Sequence, residues 1–207
     1  MASLSVRARR VRIRFRLASV ALLVTAMLAV VLGPLPALTP TAAAATCPCS
    51  IWSGSVTPGT LTDPDTDPVE VGIKFRADTD GVIKGLRFYK STANTGTHVG
   101  HLWTASGTLL ATATFANETA SGWQQVTLAT PVPVTANTTY VASYYAPVGR
   151  YSVDDNFFAA SGVDNPPLHA LANGVDGGNG VYRYGAGGGF PTSTFAASNY
   201  WVDVVYG

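Results

Sequence analysis

The side chains in this 207-residue sequence that could do chemistry fall into three groups: three histidines, a thin set of carboxylates, and a surplus of aromatic rings. His98 and His101 lie three apart in a segment that reads as a strand, so alternation sends them to opposite faces. They cannot share one metal ion unless a bulge intervenes. His169 follows a double proline in Asn165-Pro166-Pro167-Leu168-His169-Ala170. So stiff a loop is expected to hold its ring to a backbone carbonyl, and His169 is kept as a candidate ligand contact. Among the carboxylates, Asp63, Asp65 and Asp67 mimic the start of a calcium loop. Pro68 stands where that loop needs glycine and no glutamate occupies its twelfth place, so the EF-hand reading fails. Asn173, Asp176 and Asn179 offer hard oxygen ligands along a glycine-rich backbone and are the candidate metal set. Calcium is the one cofactor considered, with none as the default.

Hydrolysis calls for paired carboxylates in a cleft. Glu70 and Glu118 are the only glutamates, and spacing gives neither a partner. No Gly-x-Ser-x-Gly elbow, His-Glu-x-x-His helix or phosphate loop occurs. Catalysis is therefore not the expected activity, and a hydrolase with an unrecognised site ranks third. The rings are more informative, because twenty of the 21 aromatic residues lie beyond residue 45. Tyr182-Arg183-Tyr184 stands between glycine-rich stretches as a platform: flat rings suit sugar faces, and neighbouring polar groups suit hydroxyls. Tyr182, Arg183, Tyr184, Tyr151 and His169 make up the candidate ligand-binding set.

The elements that must position these groups are strands. In Val69–Lys90, Val69, Val71, Ile73 and Phe75 share one parity, and Glu70, Lys74 and Arg76 share the other, which predicts a strand with one wet face. Asp78-Thr79-Asp80-Gly81 supplies turn chemistry, and Ile83, Leu86 and Phe88 predict a return strand with a bulge beside Gly85. The pair is expected to form a hairpin, with Glu70, Lys74 and Arg87 at outward or edge positions. Further strands are expected near 98–104, 109–115, 123–128, 138–145, 150–153, 181–184 and 200–206. Pro131 and Pro133 confine the piece they occupy to a sheet edge. No helical period is sustained beyond residue 45. The fold class is all-β: an antiparallel, jelly-roll-like β-sandwich of eight or nine strands, with one long irregular glycine-rich section, 154–198.

Residues 1–45 read as a secretory signal peptide, with six arginines, an apolar run from Leu17 to Leu32, and a small-residue site at 41–45. That run is 16 residues, short of the ~20 that span a bilayer. Residues 46–68 form an extended lead-in with Ile51 and Trp52 as docking residues, and 69–207 a single sandwich domain. Removing the leader turns a formal charge of +1 into −5, from seven basic against twelve acidic side chains. That balance excludes nucleic acid as an expected partner, and no stable membrane insertion is expected once the leader is gone. Cys47 and Cys49 suit an oxidising compartment; they are a candidate disulfide, with pairing to another chain as the alternative.

The motifs VEVGIKF, GVIKGLRFYK, NTGTHVGHLW, ETASGWQQV, TTYVASYYAPVGRY, NPPLHALANGVDGGNGVYRYG and NYWVDVVY together resemble one secreted bacterial family, domain of unknown function 4082. The resemblance spans roughly 47–207. It implies an extracellular β-sandwich that elsewhere accompanies immunoglobulin-like and carbohydrate-active domains, and it brings no activity or catalytic residues. The expected function is a secreted, non-catalytic module binding a cell-surface or environmental ligand, with polysaccharide first. A structural or adhesive domain contacting proteins is second.

Overall fold

The alternating pattern is realised as strands throughout a computed structural model that describes Cys47 and residues 49–207. The expected leader, 1–45, lies outside the described residues. There are eleven strands rather than eight or nine, and no helix among the described residues. They are β1 (Val69–Ala77), β2 (Gly81–Lys90), β3 (Val99–Thr104), β4 (Leu109–Thr114), β5 (Gly122–Val134), β6 (Tyr140–Ala146), β7 (Val163–Asn165), β8 (Leu168–Ala170), β9 (Val181–Tyr184), β10 (Ser193–Thr194) and β11 (Val202–Tyr206). One sheet runs β10-β9-β1-β6-β3-β4, with β8 also on β1 and β7 on β8; the other runs β11-β2-β5. All named strand pairs are antiparallel, so the protein is an antiparallel β-sandwich. The segment 150–153 is not a strand; it contributes one isolated bridge, Thr60 with Val153.

The expected hairpin is an arch. β1 belongs to the large sheet and β2 to the small one, so the turn at 78–80 crosses between layers. Glycine is needed at position 81 for room: a Cβ there would lie 2.3 Å from the Tyr206 hydroxyl. The bulge falls where expected, with register shifting between Ile83 and Gly85 against β5 and an extra residue, Lys84, against β11. That insertion turns Leu86 and Phe88 into the core after Ile83. β5, with its two prolines, is an edge strand as expected.

Between the sheets, Val71, Ile73 and Phe75 of β1 meet Tyr144, Ala142 and Tyr140 of β6 directly across the ladder. Phe88 of β2 closes the sandwich, stacking on Tyr144 at 4.1 Å and meeting Phe115 edge-on at 4.8 Å. The other face of β1 is not wet: Glu70 is wholly buried, and Lys74 and Arg76 are half-buried. The loop after β9 lies over that face and sets Phe190 against Trp103.

The lead-in is part of the fold. Ile51 and Trp52 are buried on the outer face of the small sheet, as expected of docking residues. Their N–H groups bond Asp203, which also pairs with Arg87 at 3.1 Å. Arg87 lies 4.5 Å from the centre of the Trp123 ring, and Trp52, Trp123 and Trp201 pack together around it. Arg87 is therefore buried rather than outward. Burial pushes the Asp203 carboxyl up to about 6, against the pull of Arg87 and three backbone N–H groups.

Candidate functional site

A cavity of about 270 Å³ opens where β9 extends past the small sheet. Tyr182 and Tyr184 stand opposite Val71 and Val69 in the ladder and so share their inward parity. Over β9 the place of a second sheet is taken by irregular segments, which bring Tyr151, Val153, Tyr200 and Phe195 to the same cavity. Tyr151 and Tyr200 are buried and meet edge-on at 5.5 Å. Tyr182 and Tyr184 repeat that geometry at 5.5 Å. Tyr184 is 51% exposed and Phe195 60% exposed, so two aromatic rings at this cavity stand open to solvent.

Asp63, Asp65 and Asp155 complete the lining. The first two are placed by consecutive turns in Asp63-Pro64-Asp65-Thr66-Asp67. Asp63 Oδ1 accepts the Asp65 N–H at 2.8 Å, and Asp65 Oδ1 accepts the Asp67 N–H at 2.9 Å. Backbone bonds from Asp63 N–H to the Tyr151 carbonyl and from Arg150 N–H to the Asp65 carbonyl fasten this stretch beside the rings. The Tyr184 hydroxyl donates to Asp65 Oδ2 at 2.6 Å, and Asp155 accepts from Ser198 at 2.7 Å. None of the three carboxylates has a salt-bridge partner among the described residues. The rings register that negative field. The hydrogen bond to Asp65, then desolvation, pushes the Tyr184 hydroxyl up to about 12. Tyr151 is raised by burial first and next by Asp63.

Three of the five expected ligand contacts, Tyr151, Tyr182 and Tyr184, therefore share one cavity. Arg183 does not join them. Between two inward tyrosines it must face the other side, where its guanidinium donates to the Gly188 carbonyl. His169 lies in a separate hollow of about 360 Å³ with Arg76 and Val175. It does not bond a carbonyl: its Nδ1 lies 2.7 Å from Asp164 and its Nε2 2.7 Å from Asp78, tying the β7–β8 turn to the arch. Burial lowers its pKa, but the hydrogen bonds and charges of the two carboxylates outweigh that and raise it overall.

The candidate metal set is close in space but committed elsewhere. β9 covers the edge of β1 from Val69 to Gly72 and β8 covers it from Phe75 to Ala77. Asn179 fills the gap between them. Its Oδ1 accepts the N–H groups of Lys74 at 2.8 Å and Gly180 at 2.7 Å; its Nδ2 donates to the carbonyls of Leu171 at 2.6 Å and Lys74 at 3.2 Å. The side-chain amide thus stands in for a peptide group of a missing strand residue. Asn173 Oδ1 accepts the Asn179 N–H, and Asp176 meets Arg76 at 3.4 Å while its carbonyl receives the Lys74 ammonium. Two protein cations already serve these oxygens. Among the described residues no three His, Cys, Asp or Glu side chains are grouped to hold a metal ion.

The remaining groups are structural in their contacts. His98 and His101 do face opposite ways: His98 is buried against Phe88 and Tyr144, and His101 pairs with Glu70 at 2.9 Å on the outer face. Glu118 is held by Lys90 at 2.8 Å and His98 at 2.9 Å, away from the cavity. Cys47 and Cys49 are joined in a disulfide. What sequence reasoning missed is the lead-in's part in the site. The repeated Asp-Pro-Asp signal was legible as turns, but nothing local says which segment those turns face.

The family described as a domain of unknown function (DUF4082) matches residues 55–202. No curated protein matches the chain.

Proposed function

The chain belongs to the family of domain of unknown function 4082, and for it we propose a non-catalytic binding module, displayed outside the cell, that takes a polysaccharide at the tyrosine cavity. One observation carries this reading. Four tyrosines and Phe195 surround a single hollow, and two of the rings stay open to solvent instead of joining the core. An isolated exposed ring needs no explanation, but several converging on one cavity with polar groups beside them are the usual composition of a small-molecule site. At about 270 Å³ the hollow falls just below the ~300–1,000 Å³ range of drug-sized pockets, a size suited to one sugar unit of a longer chain. The tyrosine hydroxyls and carboxylate oxygens supply partners for sugar hydroxyls.

Affinity electrophoresis in gels containing a panel of soluble polysaccharides tests this. At least one polymer should retard the protein. Because Tyr184 is half exposed, Tyr184→Ala should weaken retardation while leaving the thermal midpoint nearly unchanged. Lack of retardation by every polymer in the panel would refute the reading.

A further inference from the structure

We propose that the sugar unit taken by the tyrosine cavity carries a free ammonium group, so that the preferred ligand is a polymer of 2-amino-2-deoxy sugars rather than a neutral, N-acetylated or acidic one. The inference rests on the binding function just proposed and narrows its substrate class. The cavity and its rings mark the site; the charge around them selects among ligands. Asp63, Asp65 and Asp155 all line the cavity, and among the described residues no lysine, arginine or histidine does. Their hydrogen bonds come from neutral donors: backbone N–H groups, tyrosine hydroxyls and the Ser198 hydroxyl. Three negative charges therefore face one small volume, with no cation from the described residues to offset them.

Elsewhere the fold does supply such cations. Asp203 has Arg87, Glu118 has Lys90, and Asp176 has Arg76. At the cavity three carboxylates gather without such a partner among the described residues. A metal ion is a poor match, since no three of these groups converge closely enough among the described residues. An organic cation fits the lining better, because the open rings of Tyr184 and Phe195 can attract a positive charge as well as the carboxylates. An acidic glycan would meet repulsion from all three carboxylates. A lysine-bearing peptide offers the same ammonium, but a flat ring beside the charge uses the aromatic walls as well.

Isothermal titration of the full chain with a fully de-N-acetylated glucosamine oligomer, its N-acetylated counterpart of equal length and a glucose oligomer tests the inference. The amine oligomer should bind about tenfold or more tightly than the other two, on the scale of one partly desolvated cation–ring contact. D63N and D155N remove charge while keeping a side-chain oxygen for the hydrogen bonds each now accepts. Each should cut that preference severalfold, weakening binding of the amine oligomer more than that of the N-acetylated one. Equal affinity for all three oligomers, or an unaltered preference in both variants, would overturn the inference while the polysaccharide reading stands. Binding of a lysine-rich peptide without binding of the amine oligomer would overturn it too. If no glycan binds at all, the underlying reading fails with it.

Discussion

Asn179→Ala tests the idea that one side chain repairs the ladder of β1 between β8 and β9. The substitution orphans the N–H groups of Lys74 and Gly180 and the carbonyl of Leu171; the Lys74 carbonyl keeps the Leu171 N–H at 3.1 Å. A buried polar group left unpaired costs roughly 1–3 kcal/mol. Lys74 is only half-buried, so water can relieve part of the loss there. The expected total is about 3–5 kcal/mol, which for a domain of this size lowers the thermal midpoint by roughly 10 °C or more. Asn173→Ala removes a single 3.1 Å bond from the same loop and should cost about 1 kcal/mol. Urea unfolding followed by tryptophan fluorescence reads both variants, because three of the four tryptophans pack in one cluster. The slope with urea should stay constant, so that the midpoint alone reports stability. If Asn179→Ala falls within 1 kcal/mol of the natural chain, or no further than Asn173→Ala, the ladder argument is wrong. If excess chelator lowers the natural chain's midpoint to the variant's, these oxygens serve a cation instead.

Asp203→Asn should lower stability by about 3–5 kcal/mol, since it leaves the Arg87 guanidinium buried without a counter-charge. Fluorescence of the tryptophan cluster should shift with it, and retention of both native stability and native emission would count against the account of the lead-in. For His169, the folded-state pKa is raised above the unfolded value of about 6.5, so its contribution is fully present below that pH and fades as pH rises through the folded pKa. The gap in thermal midpoint between the natural chain and His169→Ala should therefore be wider at about pH 5.5 than at about pH 8.5. A gap that widens with pH would reverse the sign and exclude the two-carboxylate account.

The sandwich was legible because its strands alternate and its turns carry Asp, Asn, Gly and Pro. The arch was not, because the same Asp78–Gly81 chemistry serves a tight hairpin and a crossing between layers. Only the partner strands decide which it is, and those lie far along the chain: β6, β8 and β9 for β1, β5 and β11 for β2. Burial of Glu70 was hidden for a similar reason. Its covering loop is more than a hundred residues away and too rich in glycine to announce a packing face. Arg183 was the avoidable error, since alternation alone separates it from Tyr182 and Tyr184. Asn179 left no signal, because an asparagine in a glycine run reads as a turn residue until the gap it fills is seen.

Cys49 pairs with Tyr206, and each donates its N–H to the other's carbonyl at 2.8 Å. The lead-in then continues alongside β11 in the opposite direction, toward Asp203. Tension applied across the domain through these two points would thus pull at one end of a single antiparallel pair. The load would fall on those two hydrogen bonds first and on their successors one at a time, as in a zipper, rather than on a whole row in shear. Under force the lead-in should peel before the sandwich opens. Because it carries Asp63 and Asp65, such peeling would draw the carboxylates away from the tyrosine rings and couple mechanical load to the state of the cavity.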